Sequence, residues 1–235
     1  MRKSFKDWNV FKFMKLFLSG GGSEAFDLDK QFLKEIDKTK PILYIPIAMD
    51  PKRHPYSECL EWIKRYLGAF GFDNIEMATD LKSISKKDLE KFGGIYIGGG
   101  DTSILLKAIK ESGFYEHLKY LVANDLPIAG GSAGAIIFAK TILPAIEAEG
   151  NPAKLEDLTG FNVLKDFELD AHYEPEMDSG IKAYMDKHKM EKVVALPEKC
   201  GLYVTDKEMK VMGEHSAWVF DEHGKKEIGI GENIK

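Results

Sequence analysis

The sequence predicts an α/β protein with a mostly parallel sheet, helices on both faces and an antiparallel extension at its C-terminal end. Up to about residue 139, short apolar runs alternate with segments of helical periodicity, which is the pattern of βαβ units. Glycine-rich turns follow three of these runs, and short strands with turns dominate the last third of the chain. The length of 235 residues and the hydrophobic fraction of 44% suit one folded α/β domain.

The apolar runs predict the strands of the parallel part in chain order. They lie at residues 16–18, 42–47, 75–78, 94–97 and 127–129. Leu28, Phe32 and Ile36 recur every four residues between the first two runs, as in a helix that packs one face on a sheet. A second helix of this kind is predicted where Leu60, Ile63, Leu67 and Phe70 recur at intervals of three and four.

Beyond Phe138 the sequence changes character. Loops are indicated around residues 150–152 and 159–160, and residues 167–171 read as one more strand. Residues 200–230 predict short strands with turns around Asp206 and at 222–224, and we expect them to extend the same sheet in antiparallel fashion. We expect residues 1–13 to be a peripheral extension and residues 14–235 to form a single domain.

Composition excludes several classes of function. The net charge is −5, and no basic cluster is interleaved with stacking aromatics, so a nucleic-acid partner is not expected. Cys59 and Cys200 are too few and too far apart for a disulfide framework or a zinc site, which favours a reducing cytoplasm. Lys12 and Lys15 interrupt the N-terminal apolar stretch, so neither a signal peptide nor a membrane span is predicted.

The strongest chemical signal is Ser132, in the G-x-S-x-G pattern of residues 130–134. An apolar strand precedes this pattern and an apolar helix follows it. A serine in such a tight turn has a strained backbone and needs neighbours with almost no side chain, and its hydroxyl lies exposed at a helix N-terminus. The sequence therefore predicts a nucleophilic serine, although Ser132 could instead simply cap the helix.

Two other glycine-rich turns are candidates for the same crevice, because loops at the carboxyl ends of neighbouring parallel strands converge. Gly98, Gly99 and Gly100 precede Asp101 directly after a predicted strand, and they could supply an oxyanion donor or only form a tight turn. Residues 20–25 formally satisfy G-x-G-x-x-A. The acidic residue expected about 20 positions later is missing, so we interpret them as a crevice wall and expect no nucleotide cofactor.

A serine nucleophile needs a base and an acid. Of the six histidines, His172 stands at the end of the predicted strand 167–171, where a base should lie. Many carboxylates lie downstream of Ser132, among them Glu147, Glu168, Asp170 and Glu198, and spacing alone does not choose between them.

In combination, residues 95–102, 131–134 and 171–173 resemble the peptidase E and cyanophycinase family of serine peptidases, with the likeness extending from about residue 16 to residue 220. The resemblance implies a three-layer, flavodoxin-like sheet of the class I glutamine amidotransferase type. It also implies that Ser132 is the nucleophile, that His172 is the base, and that the oxyanion is bound by backbone N–H groups of Ala133 and of Gly99 or Gly100.

The resemblance is less direct for the acid and for specificity. The acid of peptidase E matches Glu147 by its offset from the serine, and Glu198 is our second choice. An arginine that favours an N-terminal aspartate follows the histidine in peptidase E, whereas residues 174–180 here carry three carboxylates and no arginine. We therefore expect no preference for N-terminal Asp unless Arg53, after the second strand, supplies the missing cation.

The expectation from sequence is thus a cytoplasmic serine peptidase with a Ser132–His172–Glu147 triad, acting on small peptides as a monomer or homodimer without metal or cofactor. An esterase of the α/β-hydrolase type fits less well, because that fold continues with further βα units after its serine turn. A non-catalytic domain that binds a small anionic ligand in the glycine-rich turns is the alternative from another class.

Overall fold

The computed structural model describes residues 14–21 and 26–235. Residues 1–13, expected to be a peripheral extension, and residues 22–25 of the first glycine-rich turn lie outside the described residues. The strands are β1 (Lys15–Ser19), β2 (Ile42–Ile45), β3 (Ile75–Met77), β4 (Gly94–Ile97), β5 (Ile128–Gly131), β6 (Glu168–Ala171), β7 (Val193–Leu196), β8 (Cys200–Thr205), β9 (Met209–Gly213), β10 (Ala217–Asp221) and β11 (Gly224–Ile228). The helices are α1 (Phe26–Glu35), α2 (Tyr56–Gly68), α3 (Lys86–Leu89), α4 (Thr102–Glu111), α5 (Phe114–Ala123), α6 (Ala133–Ile136), α7 (Leu143–Glu149) and α8 (Asp178–His188).

The main sheet has seven strands in the order β3-β2-β4-β5-β1-β8-β9. The five strands predicted for the parallel part are all present and pair in parallel, while β8 and β9 continue the sheet antiparallel beyond β1. Since parallel strands end at the same edge, the turns after β1, β4 and β5 meet there. This is the edge at which the sequence places all three glycine-rich turns.

Helices cover both faces of the main sheet, as predicted. In β1, Phe17 points to one face and joins the apolar cluster of α1 and α2, whereas Leu16 and Leu18 point to the other face and pack with α4, α5 and α6. Burial on both faces explains why these strands read as continuous apolar runs rather than as an alternating pattern.

The second sheet is a feature that the sequence did not predict. It has four strands in the order β11-β10-β7-β6, with β6 and β7 parallel and α8 packed against it through Ile181 and Tyr184. The expected antiparallel extension is confirmed for β8 and β9. Strands β10 and β11 instead pair next to β7, because an apolar pattern indicates a strand but not its neighbour.

Candidate functional site

Ser132 occupies a sharp turn between β5 and α6. Its backbone dihedrals are φ 51° and ψ −115°, and the positive φ is sterically costly for a residue with a side chain. The Ser132 N–H donates to Ser19 O at 3.0 Å, which ties the turn to the end of β1. A Cβ at Gly130 would lie 2.2 Å from Gly134 O, so the turn closes only because these positions lack side chains.

His172 lies just beyond the end of β6, also with a positive φ of 54°. Its backbone N–H donates to Gly20 O at 2.8 Å. The imidazole lies directly against Gly21, where an added Cβ would be 2.1 Å from His172 Cε1. The first glycine-rich turn therefore forms the wall behind the imidazole, at least in the part of that turn the structure describes.

Ser132, His172 and Glu198 form a continuous chain of contacts. Ser132 Oγ lies 2.9 Å from His172 Nε2, and His172 Nδ1 lies 3.0 Å from Glu198 Oε1. The tautomer with its proton on Nδ1 satisfies both contacts, because Nδ1 then donates to the carboxylate and Nε2 accepts from the serine hydroxyl. The side chains of His172 and Glu198 are 47% and 62% exposed, so a substrate can reach them.

Glu147, the first choice for the acid, does not contact His172. It lies on α7, and its carboxylate accepts from Lys187 Nζ at 2.8 Å and contacts His188 Nε2 at 2.7 Å. The hydrogen bond from Lys187, and then the one from His188, lowers the pKa of Glu147. The structure therefore places Glu198, the second choice, against His172 and not Glu147, because α7 packs beside α8 and turns Glu147 toward that helix.

Two other carboxylates close to His172 in sequence are also engaged elsewhere. Glu168 accepts from the Thr141 N–H at 2.8 Å, and Asp170 accepts from the Tyr184 hydroxyl at 2.8 Å. Burial raises the pKa of both carboxyls above the ordinary value. Both side chains are buried along β6 and do not contact the His172 imidazole in the described hydrogen bonds.

The three residues predicted to bind the oxyanion lie around Ser132. A Cβ built on Gly99 would be 3.3 Å from Ser132 Cβ, so this loop touches the serine turn. Gly100 has φ +131° and passes so close to Ala48 that a Cβ would lie 2.2 Å from Ala48 O. Ala133 is the first residue of α6, where backbone N–H groups have no partner within the helix.

A cavity of about 670 Å³ opens beside these residues. Ser132, His172 and the glycine turns line one side, and α2 lines the other with Glu58, Glu61, Trp62 and Arg65. The cation that the cavity receives from α2 is thus Arg65. Arg53, the cation expected from sequence, is 83% exposed and pairs with Asp50 at 3.9 Å. No apolar period in the sequence singles out Trp62 or Arg65, because on α2 Trp62 is only half-buried and Arg65 is exposed.

The carboxylate-rich segment 174–180 lies elsewhere. Asp178 accepts hydrogen bonds from Tyr173 and Lys225, and Glu176 lines a separate cavity of about 480 Å³ between α7 and α8. None of its three carboxylates is among the described residues lining the Ser132 cavity. The three carboxylates of this segment therefore do not form part of the described wall of the Ser132 cavity.

The described residues offer little for other chemistries. Within them, no group of three or more His, Cys, Asp or Glu side chains could hold a metal ion. Across residues 14–21 and 26–235 no helix combines the length and apolar character needed to cross a membrane. Cys59 and Cys200 are both buried, free thiols, and burial raises the pKa of Cys200 to about 12, so it stays protonated near neutral pH.

Comparisons with known proteins identify the family of this chain. Residues 16–212 match the family model of peptidase family S51. An uncharacterized peptidase of Pasteurella multocida is 30% identical over 172 residues, covering 68% of this chain and 77% of that protein. A Drosophila melanogaster protein named probable alpha-aspartyl dipeptidase is 25% identical and covers 80% of this chain and 79% of its own.

The fold has a solved counterpart. The crystal structure of a peptidase from an acI-B1 Actinobacterium superposes with a TM-score of 0.69, at 18% identity, over 96% of this chain and 98% of that one. A short likeness to the pyridoxal 5'-phosphate synthase subunit PdxT of Fervidobacterium nodosum is 41% identical but spans only 29% of that protein. The chain belongs to peptidase family S51 and is a serine-type peptidase.

Proposed function

We propose that the chain hydrolyses small peptides through an acyl-enzyme, with Ser132, His172 and Glu198 as its catalytic triad. The single observation that carries this proposal is the chain of contacts from Ser132 Oγ to His172 Nε2, at 2.9 Å, and from His172 Nδ1 to Glu198 Oε1, at 3.0 Å. Both distances lie within hydrogen-bonding range. We also propose the cytoplasm as its compartment, supported by the two free thiols.

In the proposed reaction His172 Nε2 takes the proton of Ser132 as Oγ attacks the scissile carbonyl carbon. The carbonyl oxygen becomes an oxyanion beside the N–H groups of Ala133 and of Gly99 or Gly100. Collapse of this intermediate breaks the C–N bond, and the leaving amine takes the proton from His172. Water, deprotonated by the same imidazole, then attacks the acyl-enzyme and releases the acid product.

Glu198 orients the imidazole and stabilises the imidazolium. With its proton on Nδ1 shared with Glu198, His172 has its Nε2 lone pair free to accept from the serine. Ser132 acts as the nucleophilic elbow, since the strained turn holds Oγ at the carboxyl end of the sheet.

Labelling with a fluorophosphonate tests this function directly. The probe phosphonylates only an activated serine, so intact-protein mass spectrometry should find one adduct on the wild-type chain and none on Ser132→Ala. Ser83→Ala is the matched control, because Ser83 is exposed and its hydroxyl donates to Asp80 O at 2.8 Å. Absence of the adduct in a folded wild-type protein would favour the non-catalytic binder.

The charged residues that line the cavity bear on the class of substrate. The cavity carries Arg65, but Glu58 and Glu61 line it as well, so a substrate carboxylate would meet like charges beside this arginine. We propose that Asp-Leu p-nitroanilide is cleaved no better than its Ala or Lys counterparts. A strong preference for Asp that disappears in Arg65→Ala would show instead that this arginine selects for aspartate.

A further inference from the structure

The side chain of Lys225 closes a three-membered polar cluster next to His172. Its Nζ donates to Tyr173 Oη at 2.6 Å and to Asp178 Oδ2 at 2.9 Å, and the Tyr173 hydroxyl donates to Asp178 Oδ1 at 2.6 Å. The three residues come from β11, from the turn after β6 and from the start of α8. Lys225 also lies beyond residues 16–212, the part of the chain that matches the family model.

The cluster is built to hold its lysine in place. Lys225 Nζ lies 4.0 Å from the ring centroid of Trp218 and 5.2 Å from that of Tyr173, both within cation–π range. Burial alone would lower the pKa of Lys225, but the hydrogen bonds to Tyr173 and Asp178 outweigh it and raise the pKa. Lys225 is thus charged at any pH at which the peptidase would act.

Tyr173 connects this cluster to the imidazole. It directly follows His172, is only 3% exposed, and its backbone N–H donates to Leu196 O at 3.0 Å. The His172 side chain is itself 47% exposed, and Gly21 lies against one side of its ring. A half-exposed side chain on a residue with positive φ keeps its direction only where the neighbouring chain is firmly held.

We propose that Lys225 is a positioning residue that holds His172 in line between Ser132 and Glu198 by anchoring Tyr173. The proposal rests on the triad proposed above. Lys225 touches neither Ser132 nor Glu198 among the contacts the structure describes, so it acts through Tyr173 alone. The alternative is that the cluster only stabilises the packing of α8 against the second sheet.

Lys225→Met separates these two roles, because it keeps a long, unbranched side chain and removes the charge and both hydrogen bonds. We expect kcat to fall by about tenfold to a hundredfold, as for a displacement of reacting groups by a fraction of an ångström, with KM changed less than threefold. Lys225→Arg should recover most of the lost kcat. Lys110→Met is the matched control, since Lys110 is also largely buried and bonds Asp157 at 2.8 Å, and its kcat should stay within twofold of wild type.

A spectroscopic measurement decides the proposal independently of activity. In ¹⁵N-histidine-labelled protein, the His172 Nδ1 proton, assigned by its loss in His172→Ala, should give a sharp downfield signal in wild type and Lys110→Met. The signal should broaden or vanish in Lys225→Met. It should do the same in Tyr173→Phe, which removes a single oxygen and serves as the test if Lys225→Met fails to fold. An unchanged His172 signal in a folded variant would overturn the proposal.

The two proposals fail in different ways. If the wild-type chain takes no fluorophosphonate and cleaves no peptide, the proposed function fails, while the histidine spectra still report whether Lys225 orders the imidazole. A different result would refute the positioning role in an active enzyme. If Lys225→Met lowers thermal stability but leaves kcat and the His172 signal unchanged, the cluster only stabilises the fold.

Discussion

The main sheet and the second sheet contribute to the site in different ways. The main sheet presents Ser132 from a turn whose shape depends on its own glycines, whereas the second sheet presents His172 and Glu198 from the ends of two paired strands, β6 and β7. Ala171 pairs with Leu196 in that parallel ladder, so the residues just beyond the two strands come out at the same edge. A nucleophile can therefore be encoded locally, while a base and its acid depend on which strands pair.

The largest effect should come from the main-sheet side. Ser132→Ala should lower kcat by about 10⁴ to 10⁶ with the fold intact, because the small neighbours of Ser132 accept an alanine without repacking. His172→Ala should match it, and the double variant should be no slower than either single one, since nucleophile and base act as one unit. Steady-state hydrolysis of a peptide p-nitroanilide, with circular dichroism for folding, measures both. More than a tenth of the activity left in Ser132→Ala would refute its role.

The next effect tests which carboxylate the second sheet supplies. Glu198→Gln should lower kcat by about 10² to 10³. The glutamine amide can donate to His172 Nδ1, which favours the His172 tautomer whose Nε2 carries the proton and cannot accept from Ser132. Replacing the acid of a catalytic triad by its amide costs up to about 10⁴ in kcat. Glu147→Gln, which disturbs the pairs of Glu147 with Lys187 and His188 on α8, should stay within twofold. Parallel kcat measurements on the two variants decide the comparison. A larger loss in Glu147→Gln would return the acid to our first choice.

A smaller effect tests Gly21, which lies against the imidazole of His172. In Gly21→Ala the new methyl group would lie 2.1 Å from His172 Cε1, so the imidazole must move and kcat should fall by about 10². Gly113→Ala is the control, because Gly113 also has a positive φ, +79°, with nothing within 4 Å of an added Cβ. Both variants place an alanine at a positive φ, so equal kcat values would show that Gly21 does not shape the site.

The smallest effect on activity is expected at Asp29, on α1, where stability and catalysis should separate. Asp29 is 6% exposed and accepts from the Tyr66 hydroxyl at 2.6 Å. Burial raises its pKa to about 6, against the lowering effect of that hydrogen bond. The folded state therefore binds a proton more tightly than the unfolded state, and its stability should fall as the pH rises from about 4 to about 6.

Asp29→Asn removes this dependence. At pH 7.5 the variant should be more stable than wild type by about 1 to 3 kcal/mol, at 1.36 kcal/mol per unit of pKa difference, with kcat unchanged. Urea denaturation at pH 4 and pH 7.5 measures it, and Asp27→Asn, on the exposed side of the same helix, is the control. Equal shifts at the two pH values would contradict a buried, titrating Asp29.

The sequence alone determined the parts of the molecule that depend on near neighbours in the chain. The strands of the parallel sheet are continuous apolar runs because both of their faces are buried, and such runs can be recognised without knowing the fold. Ser132 can be recognised for a similar reason, because the turn that exposes it needs Gly130 and Gly134. His172 was placed by the rule that site residues follow strand ends, together with the family resemblance.

Only the tertiary structure decided which carboxylate contacts His172, how the second sheet is paired and which residues line the cavity. Glu198 follows the apolar run of β7 just as His172 follows β6, but this is informative only once those two strands are known to be parallel neighbours. Glu147 has the expected offset in sequence, yet the packing of α7 on α8 commits it to Lys187 and His188. Strand pairing and helix packing join residues far apart in the chain, and no local pattern records which partner each element finds.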